Sequence, residues 1–341
     1  MDGVAVFEAA LDHQRQGVAT ALVTLIRRDG SAPRPLGSQM VVTEGGECVG
    51  SLTGTGCADN VIVQEACSAI REGVNRTLRL GNGSPYLDIR LPCGTGVDLY
   101  IDTRVDSGTL KTLLDEHEAR RPIALETDTV ACTHRCIAGS PASTLGSGVF
   151  RNWIYPCQRL IVVGQGINAL ALSQIARASG YSVEVFSPDQ ELLLAAAQAG
   201  TDTTRLITAD GFVCPTLDAW TAVVIMFHDH DWEMPVLRAL QGSHCFYLGA
   251  LGSRRTQAKR LSALNDSGLT EVAQRLHGPA GLDIGAKAPS EIAISILAEM
   301  TSAYRSLGLP FLETATNAKI PSLSSPATTP QSLLREKREQ I

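Results

Sequence analysis

Arg159–Asp189 reads RLIVVGQGINALALSQIARASGYSVEVFSPD, and the order of residue types in it decides the fold. Leu160–Val163 is an apolar run with the length and β-branching of a buried strand. Gly164-Gln165-Gly166-Ile167-Asn168-Ala169 follows at once, then a helical pattern through Leu170, Ile175 and Ala176. Gly180, of the residue type that ends helices, precedes a second strand at Tyr181–Phe186. Strand, glycine turn, helix and strand within about 30 residues are the setting in which G-x-G-x-x-A carries meaning. Gly164 permits the tight turn, Gly166 lets backbone approach a pyrophosphate, and the small Ala169 lets helix and sheet pack closely. Phosphate would sit at the helix N-terminus, where unpaired N–H groups and the helix dipole favour an anion. The prediction is a Rossmann-like parallel α/β domain.

The unit departs from the dinucleotide fingerprint at one point. A carboxylate is expected at the end of the second strand, to accept from a ribose hydroxyl. Here the strand ends Phe186-Ser187-Pro188-Asp189, so serine stands in that place. Asp189 lies two residues on, with Pro188 redirecting the chain between them. Two readings stay open at this point: a dinucleotide site, or a Rossmann-type fold that holds no dinucleotide or holds it by its phosphates alone.

Working outward, 341 residues leave room for a second domain. Residues 1–128 read as a smaller α+β domain, 129–156 as a linker, 157–310 as the Rossmann-like domain, and 311–341 as a Ser/Thr/Pro-rich disordered tail. A net charge of −6 offers no basic surface for nucleic acid. No apolar run reaches the roughly 20 residues of a membrane span, and the N-terminus lacks a signal-peptide pattern. Nine scattered cysteines do not resemble a secreted disulfide framework and read as reduced thiols of a cytoplasmic protein.

Several residues could carry chemistry. Cys57 follows the glycine-rich turn Thr53-Gly54-Thr55-Gly56, ahead of a helix expected from about Asn60. A thiol near a helix N-terminus has its thiolate stabilised, and a small buried cysteine is the bland alternative. Cys93 lies in a second such turn, Pro92–Gly96. Arg34, between two prolines, suits a bidentate anion clamp or is an ordinary surface arginine. Cys132-Thr-His134-Arg-Cys136 invites a metal reading but lacks a second ligand cluster, so an edge strand is the better expectation. His228, after the strand Ala222–Phe227, stands where open α/β sheets bind ligands and could hold a cofactor or act as acid or base, while Asp231 belongs to that rim or caps the next helix. Ser253, Arg254 and Arg255 resemble an anion-binding helix start or a solvated basic turn. Asp283 and Glu291 fit either a site or the capping of the last helix.

Seven segments in order resemble the XdhC/CoxI family of molybdenum-hydroxylase maturation factors. They are GSAPRPLGSQMVV (Gly30–Val42), GSLTGTGC (Gly50–Cys57), PCGTG (Pro92–Gly96), the turn Gly164–Ala169, FHDHDWEMPVLRAL (Phe227–Leu240), YLGALGSRRT (Tyr247–Thr256) and GLDIGAKAPSEIAISILAE (Gly281–Glu299). The resemblance implies a chaperone that binds the molybdenum cofactor, as molybdopterin or its cytosine dinucleotide form, and protects its sulfido ligand. It implies insertion into an apo-enzyme of the xanthine dehydrogenase or aldehyde oxidase type, with a cysteine desulfurase as partner and a homodimeric state. By match, Cys57 and Cys93 would lie near the molybdenum or its sulfur. Arg34, Ser253, Arg254 and the Gly164–Gly166 turn would hold pterin phosphate or an appended nucleotide, and His228 would line the cofactor. Thr55 and Thr95 replace family glycines, and Ser187-Pro188-Asp189 stands where Asp-Pro-Arg is common. An NAD(P)-dependent oxidoreductase and a sulfurtransferase using Cys57 remain alternatives.

Overall fold

The computed structural model describes residues 2–30, 34–54, 56–86, 96–139, 147–227, 229–309 and 312–314. It divides into two units, residues 155–310 and residues 2–154 with the segment from 311 on.

The second of these begins with helix α1 (Asp2–Arg15) and strands β1 (Thr20–Asp29), β2 (Gln39–Thr43) and β3 (Cys48–Val49). Helix α2 (Gly56–Glu72), β4 (Arg76–Gly81), β5 (Gly96–Asp102) and α3 (Ser107–Glu118) follow. The five strands form an antiparallel sheet in the order β3-β2-β1-β5-β4. The run Thr20–Ile26 shows no polar alternation because both faces of β1 are covered. Ala21, Val23 and Leu25 point to α2, against Ala58, Ile62 and Ala66. Leu22 points the other way, into a layer made by Phe7 and Leu11 of α1 and Leu110 and Leu113 of α3.

A second antiparallel sheet closes that layer. It contains β6 (Ile123–Asp128), β7 (Thr133–Ala138), β8 (Val149–Ile154) and β15 (Leu312–Thr314), in the order β15-β8-β6-β7. Ile123, Leu125 and Ile154 bury against α1 and α3. Two expectations are corrected here. The span 129–156 is not simply a linker, because it carries β7 and β8, each paired in register with β6. Within the expected tail, Leu312–Thr314 pairs with β8; the rest of 311–341 lies outside the described residues. Backbone hydrogen bonding makes the edge of β8 a place for an extended segment, which composition does not reveal.

The other unit carries β9 (Arg159–Gly164), α4 (Gly166–Ala178), β10 (Ser182–Ser187), α5 (Gln190–Gln198) and β11 (Asp202–Arg205). It continues with β12 (Thr221–Met226), α6 (His230–Ala239), β13 (Tyr247–Ala250), α7 (Arg254–Asp266), α8 (Thr270–Arg275), β14 (Leu276–His277) and α9 (Pro289–Ser306). All six strands are parallel, in the order β11-β10-β9-β12-β13-β14. Numbered along the chain this is 3-2-1-4-5-6, the doubly wound arrangement with its switch point between β9 and β12. The expected Rossmann-like domain is present. Leu160 and Val162 bury on the α4–α9 side, while Ile161 and Val163 bury on the α6–α7 side. At about 1.5–3 kcal/mol per fully buried aliphatic side chain, such two-sided strands dominate the stability of the unit. No helix among the described residues is long and apolar enough to cross a membrane.

Candidate functional site

One end of the five-stranded sheet gathers three loops. The strand β1 runs out through Arg27-Arg28-Asp29, and the segment bearing Arg34 links it to Gln39 of β2. This loop is pinned by Gly37 N–H donating to the Leu25 carbonyl (2.9 Å) and Leu25 N–H donating to that of Ser38 (2.9 Å). Leu36 packs on the sheet core beside Leu52 and Ala58, which flank the Cys57 turn. At Gly50, which opens that turn with φ +97°, a Cβ would lie 2.7 Å from the Gln39 carbonyl oxygen. The Cys57 and Arg34 segments therefore leave the sheet side by side. The third segment carries Cys93, which lies outside the described residues, but both its flanks are placed. Tyr86 packs on the same core, and Gly96 pairs with Asp29.

Two side-chain networks hold these loops. Asp59 accepts from the Ser51 hydroxyl (2.6 Å), the Thr53 N–H (3.1 Å) and the Thr53 hydroxyl (2.8 Å), clasping the turn before Cys57 to the first turn of α2. At the flank of the Cys93 segment, Arg79 donates to Asp29, to Asp98 (3.0 Å) and to the Asn82 carbonyl (2.9 Å). The bond from Arg79 holds the Asp29 carboxyl below its ordinary value. A Cβ on Gly96 would fall onto the Arg79 guanidinium and 2.8 Å from the Asn82 carbonyl oxygen, so a larger residue where β5 begins would displace the Arg79 network. Helix α2 begins at Gly56, earlier than expected, so Cys57 belongs to its first turn.

The carboxyl ends of the parallel strands form the second candidate site. A Cβ on Gly164 would lie 2.6 Å from both the carbonyl carbon and oxygen of Met226, since β9 and β12 meet there. Gly166 has φ +80° and nothing within 4 Å of where a Cβ would stand. The first glycine is demanded by the protein's own packing, the second by backbone conformation with open space beyond. Ala169 is fully buried on the inner face of α4, as its size predicts. Ser253 caps α7 by accepting from Thr256 N–H (3.1 Å). Arg254, beside it, forms an exposed pair with Asp283 (3.0 Å), of a kind worth little on its own.

Beneath these loops lies a network that sequence reading missed. The Arg260 Nε and Nη2 atoms donate to the two Glu233 oxygens at 3.0 and 2.7 Å. Its remaining donors reach Gln257 Oε1 (2.6 Å) and the Leu251 carbonyl (2.9 Å). This ties α6 to α7 and to the strand-end loop that leads to Ser253.

Residues 160–300 match the XdhC Rossmann domain, and residues 13–81 match the XdhC and CoxI family. The molybdenum cofactor insertion chaperone PaoD of Escherichia coli (strain K12) is 34% identical over 294 residues, 86% of each chain. The chain belongs to the XdhC and CoxI family. A probable xanthine dehydrogenase subunit of Bacillus subtilis (strain 168) is 25% identical, over 86% of this chain and 94% of that one. A xanthine dehydrogenase from Bacillus halodurans, solved by crystallography, shares the fold with a TM-score of 0.73. Its identity is 21%, over 90% of this chain and 96% of that one.

In this XdhC-family chain the candidate residues separate by unit. Arg34 and Cys57 belong to one, and Gly164, Gly166, Ser253 and Arg254 to the other. His228 and Cys93 lie outside the described residues. One expectation is corrected. Asp229, not Asp231, caps α6, accepting from Asp231 N–H (2.9 Å), because the helix starts at His230. Glu291 caps α9 through the Lys287 and Ala288 N–H groups (2.9 and 3.0 Å), which lower its carboxyl. The three side chains of the Cys132–Cys136 pattern have separate partners. Cys132 sits in a turn at φ +53°, His134 is bonded to Asp102, and Cys136 faces the Thr109 carbonyl. Among the described residues no group of three or more His, Cys, Asp or Glu side chains could hold a metal ion. The strand β7 is an edge strand, as expected.

Proposed function

We propose that this chain is a carrier of the molybdenum cofactor, which it binds with its sulfido ligand intact and inserts into an apo-hydroxylase of the xanthine dehydrogenase or aldehyde oxidase type. The observation that carries the reading is the convergence of the Arg34 loop, the Cys57 turn and the flanks of the Cys93 segment at one end of one sheet. This donor set suits the cargo. Thiolates are soft ligands for molybdenum and sulfur, guanidinium matches phosphate, and the clasped turn presents Cys57 at a helix start. The family membership and the likeness to PaoD support the same reading.

In that reading Cys57 and Cys93 stand near the molybdenum, and Arg34 takes the pterin phosphate. Taken by itself, the glycine turn Gly164–Gly166, with Ser253 and Arg254 at a neighbouring strand end and His228 as a further candidate, takes a nucleotide, as the cytosine dinucleotide form of the cofactor or as NAD(P). A cysteine desulfurase supplies sulfur, and the carrier acts as a cytoplasmic homodimer. The test is titration of purified protein with molybdenum cofactor, comparing wild type with Cys57→Ala and Cys93→Ala. Bound metal, bound pterin and reactivation of an apo-hydroxylase are followed together. Retention by wild type and loss of reactivation in either variant are expected. A wild type that holds no pterin sinks the carrier reading, and variants that transfer as well as wild type sink the thiol site.

A further inference from the structure

Strand β1 does not keep step to its end. Its pairing with β5 runs Leu25↔Leu99 and then Arg27↔Asp98, so one extra residue is taken up between Leu25 and Arg27. Strict alternation would put Arg28 on the same face as Ile26, which packs with Tyr100 and Phe150 on the side opposite α2. The bulge reverses this. Arg28 stands opposite Val97, and Val97 opposite Leu80, and both of these belong to the core that α2 covers. Residues opposite one another on neighbouring strands share a face, so Arg28 extends that row on the α2 side. It is the exposed end of the row, at the sheet end where the Arg34 and Cys57 segments leave. Leu36, Leu52 and Ala58, from those two segments, pack in the same core.

The other charges at this end satisfy one another. On the opposite face Arg27 pairs with Asp29 (3.3 Å) and Asp98 (3.8 Å), and Arg79 donates to the same two carboxylates. On the α2 face the Asp59 carboxylate is taken up by its Ser51 and Thr53 donors. Among the described residues the Arg28 side chain has neither a hydrogen bond nor an ion pair. We propose that Arg28 is a second anion contact of the candidate site, taking the phosphate of the cargo together with Arg34. This rests on the carrier reading given above. A guanidinium presents paired N–H donors that match phosphate oxygens, and one without a carboxylate partner brings its whole charge to that anion. Bulges re-aim side chains beside functional sites, and here the extra residue turns a cation from the back of the sheet to the face that carries the Cys57 turn. Sequence alone does not single Arg28 out, because the bulge is set by the pairing with β5.

The experiment is titration of full-length wild type, Arg28→Ala, Arg28→Lys and Arg71→Ala with molybdenum cofactor, the bound fraction being read from pterin fluorescence after oxidation. Arg71→Ala removes the same charge from the last turn of α2, at the other end of the helix from the Cys57 turn, and so controls for net charge. Arg28→Ala should weaken binding about ten- to a hundredfold, the loss of one charge-assisted contact. Arg28→Lys should recover part of this, since an ammonium keeps the charge without the fork, and Arg71→Ala should bind as wild type does. Each titration is repeated with inorganic phosphate in place of chloride at equal ionic strength. Phosphate should weaken cofactor binding to wild type and do so less in Arg28→Ala, a difference that a merely structural role would not produce. The inference is overturned if Arg28→Ala binds within about twofold of wild type, if Arg71→Ala loses as much, or if phosphate acts equally on both proteins. A wild type that binds no cofactor sinks the carrier reading and this inference with it, whereas tight binding by both wild type and Arg28→Ala sinks this inference alone.

Discussion

Replacing Arg260 with alanine tests the network beneath the ligand rim most sharply. Its side chain has no exposed surface and that of Glu233 is 3% exposed, so neither ion has water to fall back on. Truncation takes from the Glu233 carboxylate, Gln257 Oε1 and the Leu251 carbonyl the donors that Arg260 supplies. Breaking a buried pair from one side typically costs about 3–5 kcal/mol, mostly through the charge left behind. For a unit spanning residues 155–310, each kcal/mol moves the midpoint by roughly 2–4 °C, giving an expected fall of about 6–20 °C. The double variant Arg260→Met, Glu233→Leu removes both charges and should recover most of the loss, since well-packed apolar replacements of buried pairs are near neutral. Urea and thermal unfolding of Arg260→Met, Glu233→Leu and their double form the cycle. The reasoning is refuted if Arg260→Ala stays within about 1 kcal/mol of wild type, or if the double is as unstable as the single.

Two further outcomes follow from the same unit. Gly164→Ala should destabilise by about 2–3 kcal/mol, because the new methyl meets Met226 backbone at 2.6 Å, whereas Gly166→Ala meets nothing and should cost about 1–2 kcal/mol through its φ of +80° alone; chemical denaturation that reverses this order would discredit the two assigned roles. Burial and the bond to Glu299 raise the Tyr247 phenol well above its ordinary 10.0. The neutral form is therefore favoured by folding, and its contribution is fully present below pH 10 and is lost as pH rises above it. Tyr247→Phe should be less stable than wild type at pH 8, with the gap narrowing above pH 10 by at most about 1.4 kcal/mol per pH unit. A gap that stays constant from pH 8 to 11.5 in urea unfolding would contradict this.

The Rossmann-like unit was legible because its signals are local. Buried parallel strands demand apolar runs such as Leu160–Val163 and Ala222–Phe227, and the tight βα turn demands Gly164, Gly166 and a small Ala169. The Arg34, Cys57 and Cys93 segments were legible as candidates for a similar reason, since each is a turn-rich stretch around a reactive or cationic residue. Their convergence was not legible. It depends on β1 pairing with both β2 and β5, contacts between residues some 15 and 70 positions apart that no periodicity encodes. The Cys132–Cys136 run was legible as an edge strand, but residues 129–156 still read as a linker because the pairing of β7 and β8 with β6 joins segments that no local periodicity connects. The strand β15 was missed because an edge strand of three residues is specified by its partner rather than by itself.

Sequence by itself therefore determined the parallel unit, the family, and the turns where chemistry is concentrated, because nearest-neighbour sterics and alternation of burial write those features into adjacent residues. Tertiary structure alone decided which carboxylates serve those turns. Asp59 clasps the Cys57 turn, Asp189 reaches Gly166 across 23 positions, and Glu233 meets Arg260 across 27. A charged side chain has the same identity on a solvated helix as in a buried pair. What distinguishes the two is the set of donors that folding brings to it.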